Sequence, residues 1–225
     1  KIFYKYILKG VHLIAISQAE QKYLECILPY QKISYLPFGV DLNFWQKSLN
    51  SNKEEYVLAI GNDKARDWYT LINSWDKRFP KLKIITSKEI QNNHKNIEII
   101  KGDWRKNLLS DEQIRDLYNN STFVIIPLYE TIQPSGQSVC LQAMACKKSV
   151  IMTDISGLWD SQNLKHKENI YLVRPNSTKS LNKAIKELLG NKILNQKLSR
   201  KGNELVRKMY NSNNMYNYLK NILET

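Results

Sequence analysis

Residues 123–154, FVIIPLYETIQPSGQSVCLQAMACKKSVIMTD, constrain the fold more tightly than any other stretch of this chain. Residues 123–126 are a short apolar run with β-branched side chains, the pattern of a strand covered on both faces. Pro127 ends the run. Leu141, Ala143, Met144 and Ala145 supply the apolar, small-residue face of a helix over 136–146, and residues 149–152 resume the sheet. Between strand and helix lie Pro134, Ser135, Gly136, Gln137 and Ser138. This loop sets free backbone N–H groups, two hydroxyls and a flexible glycine at a helix start, surroundings that suit a phosphate. A strand–loop–helix of this chemistry at the carboxyl end of a parallel sheet is where such folds place ligands.

The alternation continues along the chain. Residues 12–16 read as a buried strand, Ser17 as the N-cap of a helix through about residue 28, and residues 32–36 as a further strand stopped by Pro37. Strands follow at 56–60, 82–86 and 97–100, with a helix over 67–76. Residues 110–113, Ser-Asp-Glu-Gln, form a capping box for a helix carrying Ile114, Leu117 and Tyr118. Residues 170–173 make the last strand, and helices at 178–189, 192–209 and 213–223 end the chain. Residues 1–10 alternate apolar and basic at helical spacing. The expected fold is α/β: a parallel, doubly wound, Rossmann-like sheet with a helical carboxyl-terminal end. The domain boundary is expected near residues 29–35, separating 1–32 from 33–225.

Composition narrows the partners without choosing one. The 225 residues suit one complete α/β domain plus an extra piece. No apolar run approaches the ~20 residues that span a bilayer, and no charged-then-apolar start marks a secretory signal. Cys26, Cys140 and Cys146 lie in apolar helical contexts without CxxC spacing, which predicts reduced, buried thiols in a cytoplasmic protein. His12, His94 and His166 make no metal pattern, so no metal is expected. Thirty-four basic residues against 21 acidic give a net charge of +13, which favours anionic partners such as nucleotides and is compatible with peripheral contact at the inner face of an anionic membrane. The lysines are scattered rather than blocked, which argues against a nucleic-acid surface. No GxGxxG follows a strand, which disfavours a nicotinamide cofactor.

The run P-x-Y-E…S-G-Q-x-x-x-L-Q-A-M-A-x-x-K-x-V-I-x-T-D at 127–154 resembles the donor-site signature of family 4 glycosyltransferases of the GT-B fold. Other segments resemble that family in order: IAISQAEQKYL, ISYLPFGVDLNFW, AIGNDKARDWYTLINSW and LLSDEQIRDLYNNSTFVIIPL. The likeness runs over most of residues 12–220. It implies a nucleotide-sugar donor-binding domain at 33–225 with carboxyl-terminal helices. Residues 1–32 would be the end of an acceptor domain that is mostly missing here. The implied reaction moves a hexosyl group from a nucleoside diphosphate sugar to the hydroxyl of a glycan or lipid-linked acceptor, with retention, in glycan or polysaccharide synthesis. No cofactor or tightly held metal is implied. The family's two glutamates, seven residues apart, fall on Pro134 and Gln142, so both carboxylates of that pair are absent.

The resemblance assigns roles residue by residue. Arg66 and Lys64, just after Gly61, take the diphosphate-binding positions, against the plainer reading that Arg66 only charges a helix start. Gly39 would let the backbone approach the donor. Ser135, Gly136, Gln137 and Ser138 make the second diphosphate contact, or an ordinary helix cap. Gln142 replaces the ribose-binding glutamate. Glu130 and Gln133 lie nearest the expected sugar, and Glu130 and Arg66 are the catalytic candidates; a solvated loop carboxylate is the equal alternative for Glu130. Gly102, Asp103 and Trp104 would wall the base, with Trp104 either stacking on it or closing the core. Two other readings remain: a sugar-nucleotide epimerase of the same fold, and a non-catalytic nucleotide-sugar-binding module.

Overall fold

The structure, a computed structural model, describes residues 7–48, 55–102 and 109–224. A small sheet pairs β1 (Leu13–Ala15) with β2 (Ile33–Tyr35) in parallel, linked by α1 (Gln18–Ile27). The large sheet holds β3 (Tyr56–Ile60), β4 (Lys81–Thr86), β5 (Ile97–Lys101), β6 (Ser121–Ile126), β7 (Val150–Thr153) and β8 (Tyr171–Val173). Their order is β5-β4-β3-β6-β7-β8, and every pair is parallel. The helices are α2 (Trp68–Ser74), α3 (Asp111–Asn120), α4 (Gln137–Ala145), α5 (Thr178–Gly190), α6 (Lys192–Met209) and α7 (Ser212–Leu223).

Parallel strands need crossover helices, which cover both faces of the sheet and demand apolar side chains on both. Every residue of β3 and β7 is accordingly buried. Alternate residues face opposite cores. Leu58, Ile60, Val124, Ile126, Val150 and Met152 pack with α4, Trp159 and Tyr210. Val57, Ala59, Phe123, Ile125 and Ile151 pack with Trp68 and Leu71 of α2 and with Leu181, Ala184 and Ile185 of α5. Burying a large apolar side chain contributes on the order of 1.5–3 kcal/mol, so these central strands dominate cohesion.

Local signals set the helix ends. Ser17 accepts from the Glu20 N–H at the start of α1. Ser110 and Gln113 form the expected reciprocal capping box on α3. Asp67 caps α2 through the Thr70 N–H at 2.9 Å. The expected elements are present with ends moved by one or two residues, though most of the helical pattern read in residues 1–10 lies outside the described residues.

Two expectations need correcting. β2 pairs with β1, so a boundary after residue 32 cuts through the small sheet; the break in pairing comes after Tyr35. Cys140 and Cys146 are buried, but Cys26 is exposed. The physical reason is that α1 lies on a two-stranded sheet and has no fully buried residue. Among the described residues no helix is long and apolar enough to cross a membrane.

Candidate functional site

The sheet order defines a switch point. From β3 the chain builds outward through β4 to β5, then returns to β6 on the other side of β3 and builds outward to β8. The loops leaving β3 and β6 therefore diverge and open a crevice at their carboxyl ends, the ligand position of doubly wound folds.

The turn after β3 forms one wall. Asn62 is absorbed in holding strand ends together: its Nδ2 donates to the Gly102 carbonyl (3.0 Å), and its Oδ1 accepts from the Ser87 N–H (2.6 Å) and the Thr86 hydroxyl (3.3 Å). Asp63 turns the chain, its Oδ1 accepting from the Ala65 N–H at 3.0 Å. Arg66 then folds back beneath the crevice with its side chain only 2% exposed. Its Nε donates to the Ile60 carbonyl at 3.3 Å. Its Nη1 lies 3.2 Å from Asp63 Oδ2, close enough to pair, yet makes no hydrogen bond among the described residues. Burial pushes the guanidinium pKa down and Asp63 pushes it back up.

The loop after β6 forms the other wall and is pinned to the first. The Asp67 N–H donates to the Pro127 carbonyl (3.0 Å) and the Tyr129 N–H to the Ala65 carbonyl (2.8 Å), around a bridge between Arg66 and Leu128. Gly136 opens α4 with φ of 76° and no side-chain cap, leaving the first N–H groups of a nine-residue helix without a capping side chain. Glycine is required there: a Cβ would meet Ile126 Cγ2 at 2.6 Å and Arg66 Nη1 at 3.1 Å. The buried cation therefore sits directly under the open helix N-terminus.

Two adjoining clefts result. The first, about 220 Å³, is lined by Ile16, Phe38, Asp63 and residues 134–138. The second, about 190 Å³, is lined by Trp45, Ile60, Asp111, Ile114, Tyr118, Ser138, Val139 and Gln142, so Ser138 borders both. Gln142 Oε1 accepts from the Tyr118 hydroxyl at 3.2 Å. Gln137 donates its side-chain amide to the Ile16 carbonyl at 3.3 Å, tying the loop to the residue that follows β1. A larger surface groove of about 590 Å³ runs along β8 and the start of α5, flanked by Arg174, Lys179 and Lys183. Its size does not make it the site, because it lacks the buried cation and the uncapped helix that distinguish the crevice.

The structure thus brings Arg66, residues 135–138 and Gln142 together. It does not gather the rest. Neither Lys64 nor Arg66 lines a cleft; Arg66 lies behind the first one, against Gly136 and Asp63, whereas Lys64 is exposed. Gly39 packs against the start of α7: a Cβ would lie 2.5 Å from the Asn211 carbonyl, and its N–H points to Met215 Sδ at 3.3 Å. Phe38, its neighbour, lines the cleft instead. Glu130 Oε1 accepts from the Ser156 N–H at 2.8 Å and also from the Ser156 hydroxyl. Gln133 is exposed. Gly102 is buried against β4, where a Cβ would meet Ile85 Cγ2 at 2.4 Å, so packing alone requires a glycine there. Asp103 and Trp104 lie outside the described residues. Asp63, Phe38, Trp45, Asp111 and Tyr118 line the clefts and are missed by the sequence reading. Only Asp63 carried a signal, as an acid two residues beyond a glycine that ends a buried strand. Among the described residues no three His, Cys, Asp or Glu side chains are grouped to hold a metal ion.

A parallel, doubly wound sheet in this strand order, with helices at its carboxyl-terminal end, has the fold of the Rossmann-like half of GT-B glycosyltransferases. More particularly, the chain belongs to the glycosyl transferases group 1 family, whose model matches residues 74–191, just over half of its length. Among solved structures it is similar to sucrose-phosphate synthase from Thermosynechococcus elongatus, with a TM-score of 0.82 and 19% identity over 99% of this chain and 60% of that one. A glycosyltransferase from Rickettsia africae gives a TM-score of 0.76 and 16% identity over 99% of this chain and 66% of that one. Anabaena HepE, in complex with UDP and glucose, gives 0.75 and 14% over 95% and 63%. The chain thus spans 60–66% of the length of these proteins. At such identities the likeness is one of fold. No match was found among curated proteins.

Proposed function

We propose that the crevice binds the diphosphate of a nucleoside diphosphate sugar, and that the chain is the donor-binding part of a glycosyltransferase. The observation that carries this reading is Arg66. A guanidinium almost wholly removed from water, beneath the N-terminus of α4 and with an Nη1 that is ion-paired to Asp63 yet makes no hydrogen bond among the described residues, is a concentration of positive potential that an anion would satisfy. Phosphate oxygens in the first cleft would take N–H groups of residues 136–138 from above and Arg66 from below. The ribose would then reach Gln142 in the second cleft, beside Trp45 and Tyr118. HepE in complex with UDP and glucose, and Staphylococcus aureus TarM in complex with UDP, are relatives in fold whose ligands support this choice.

In this reading sugar passes to an acceptor hydroxyl with retention, in glycan or glycolipid synthesis at the cytoplasmic side of a membrane. Positive groups fixed before reaction stabilise the diphosphate as it departs, without reorganisation at that moment. The part of the chain up to Tyr35 would be the end of an acceptor domain and the remainder the donor domain. Glu130, held by Ser156, and the amide of Gln142 leave the acid–base role open, and they favour a binding module as the second reading. Calorimetric titration of the chain with UDP, GDP and ADP tests the donor site. Binding of one of them in the micromolar to millimolar range is expected; no binding of any at millimolar concentration would remove the assignment.

A further inference from the structure

We propose that Asp63 is a built-in counter-ion for Arg66 that an incoming phosphate must displace, so that it sets how strongly charged an anion has to be to enter the cleft. This inference rests on the reading of the cleft as a diphosphate site. Three features of the pair carry it.

The cation is fixed. Arg66 is tethered through Nε to the Ile60 carbonyl and boxed in by two glycines: a Cβ on Gly61 would fall 1.9 Å from its Nε, and one on Gly136 would fall 3.1 Å from its Nη1. A buried charge in that position needs an opposite charge, since leaving it unpaired away from water is strongly unfavourable. Asp63 is its ion-pair partner, and Asp63 also lines the cleft with residues 134–138.

The anion is movable. The Asp63 side chain is 40% exposed against 2% for Arg66, so the carboxylate can turn to water while the guanidinium cannot. The pair is also incompletely made, because the 3.2 Å approach of Nη1 to Oδ2 is not aligned as a hydrogen bond. A phosphate oxygen meeting Nη1 would improve on that geometry.

The two anions conflict. A phosphate beside Asp63 meets like-charge repulsion unless the carboxylate leaves. Each route weakens binding relative to a cleft without the acid. A ligand carrying several charges, such as a diphosphate, can overcome a resident carboxylate; a singly charged one gains little by exchanging with it.

Asp63→Asn separates this role from folding. The amide oxygen still accepts from the Ala65 N–H that holds the turn, while the charge is gone. Isothermal titration of both proteins with UDP, UMP and uridine is the experiment, with Asp63→Ser as the second variant should the first not fold. The expected result is UMP binding roughly tenfold tighter in the variant, the factor that 1.4 kcal/mol produces, with UDP tightened by a smaller factor and uridine unchanged. The apo variant should also melt lower and be raised further by UDP, because its Arg66 has lost its partner. Equal or weaker UDP binding by a folded variant overturns the role of Asp63 and leaves the donor site standing. Absence of binding of UDP, GDP and ADP to both proteins overturns the donor site itself, and this inference with it.

Discussion

The Lys148 ammonium donates to the Asn119 carbonyl at 2.7 Å, and to the Ser121 carbonyl at 2.8 Å. These carbonyls close the C-terminal end of α3, where a cation is favoured by the helix dipole and fills an orphan acceptor. Burial opposes the charge and pushes the Lys148 pKa down to about 8. As pH rises past 8 the folded protein releases this proton first, while the unfolded chain keeps it up to about 10.5. The unfolded state binds more protons in that window, so stability rises with pH there. Urea unfolding between pH 7.5 and 10 should show wild type gaining on Lys148→Met by about 1 kcal/mol per pH unit. A constant difference between the two proteins across that range would refute the lowered pKa.

Arg66→Ala should weaken nucleoside diphosphate binding by roughly ten- to a hundredfold, the equivalent of about 1.5–3 kcal/mol for a charge-assisted contact. Nucleoside binding should change little, because the base and ribose are expected in the second cleft. Calorimetry with UDP and uridine measures both. Equal losses for the two ligands would take Arg66 out of the phosphate role and leave it as a packing residue.

Gln142→Glu should favour ribonucleotides over their 2′-deoxy analogues. The Tyr118 hydroxyl that now donates to Gln142 Oε1 can donate to a carboxylate as well, so the side chain stays in place. Hydrogen bonds from ribose hydroxyls to the other oxygen become charge-assisted and stronger. The measurement is the ratio of UDP to 2′-deoxy-UDP affinity in both proteins. An unchanged ratio would mean that Gln142 does not face the ribose.

Much of this architecture can be read from the sequence, because its cause is local. The run at 123–126 had to be covered on both faces, and Ser110 with Gln113 had to cap a helix. The crevice is less legible because its parts act across long separations. Gly39 looks like a ligand-side glycine until Asn211 is found against it, 172 positions further along the chain. Gly102 likewise has a packing reason, Ile85 of β4, that its own surroundings in the sequence do not show. Asn62, right after Gly61, stitches three strand ends together through partners 24 to 40 residues away. The exposure of Cys26 depends on how little the small sheet covers, which no property of the α1 sequence reveals.

The bridge of Arg66 to Leu128 has a further consequence. β3, β4 and β5 form one half of the sheet and β6, β7 and β8 the other, and they join where β3 lies beside β6. The proposed anion cradle takes its arginine from the first half and its helix N-terminus from the second. Neither half holds a cradle alone. A nucleotide bound there as proposed would act as a clasp across the seam: by mass action it would favour only states in which both halves are docked, and would give nothing to intermediates in which each half is intact but the seam is open. Occupancy of the crevice reports that the whole sheet has closed.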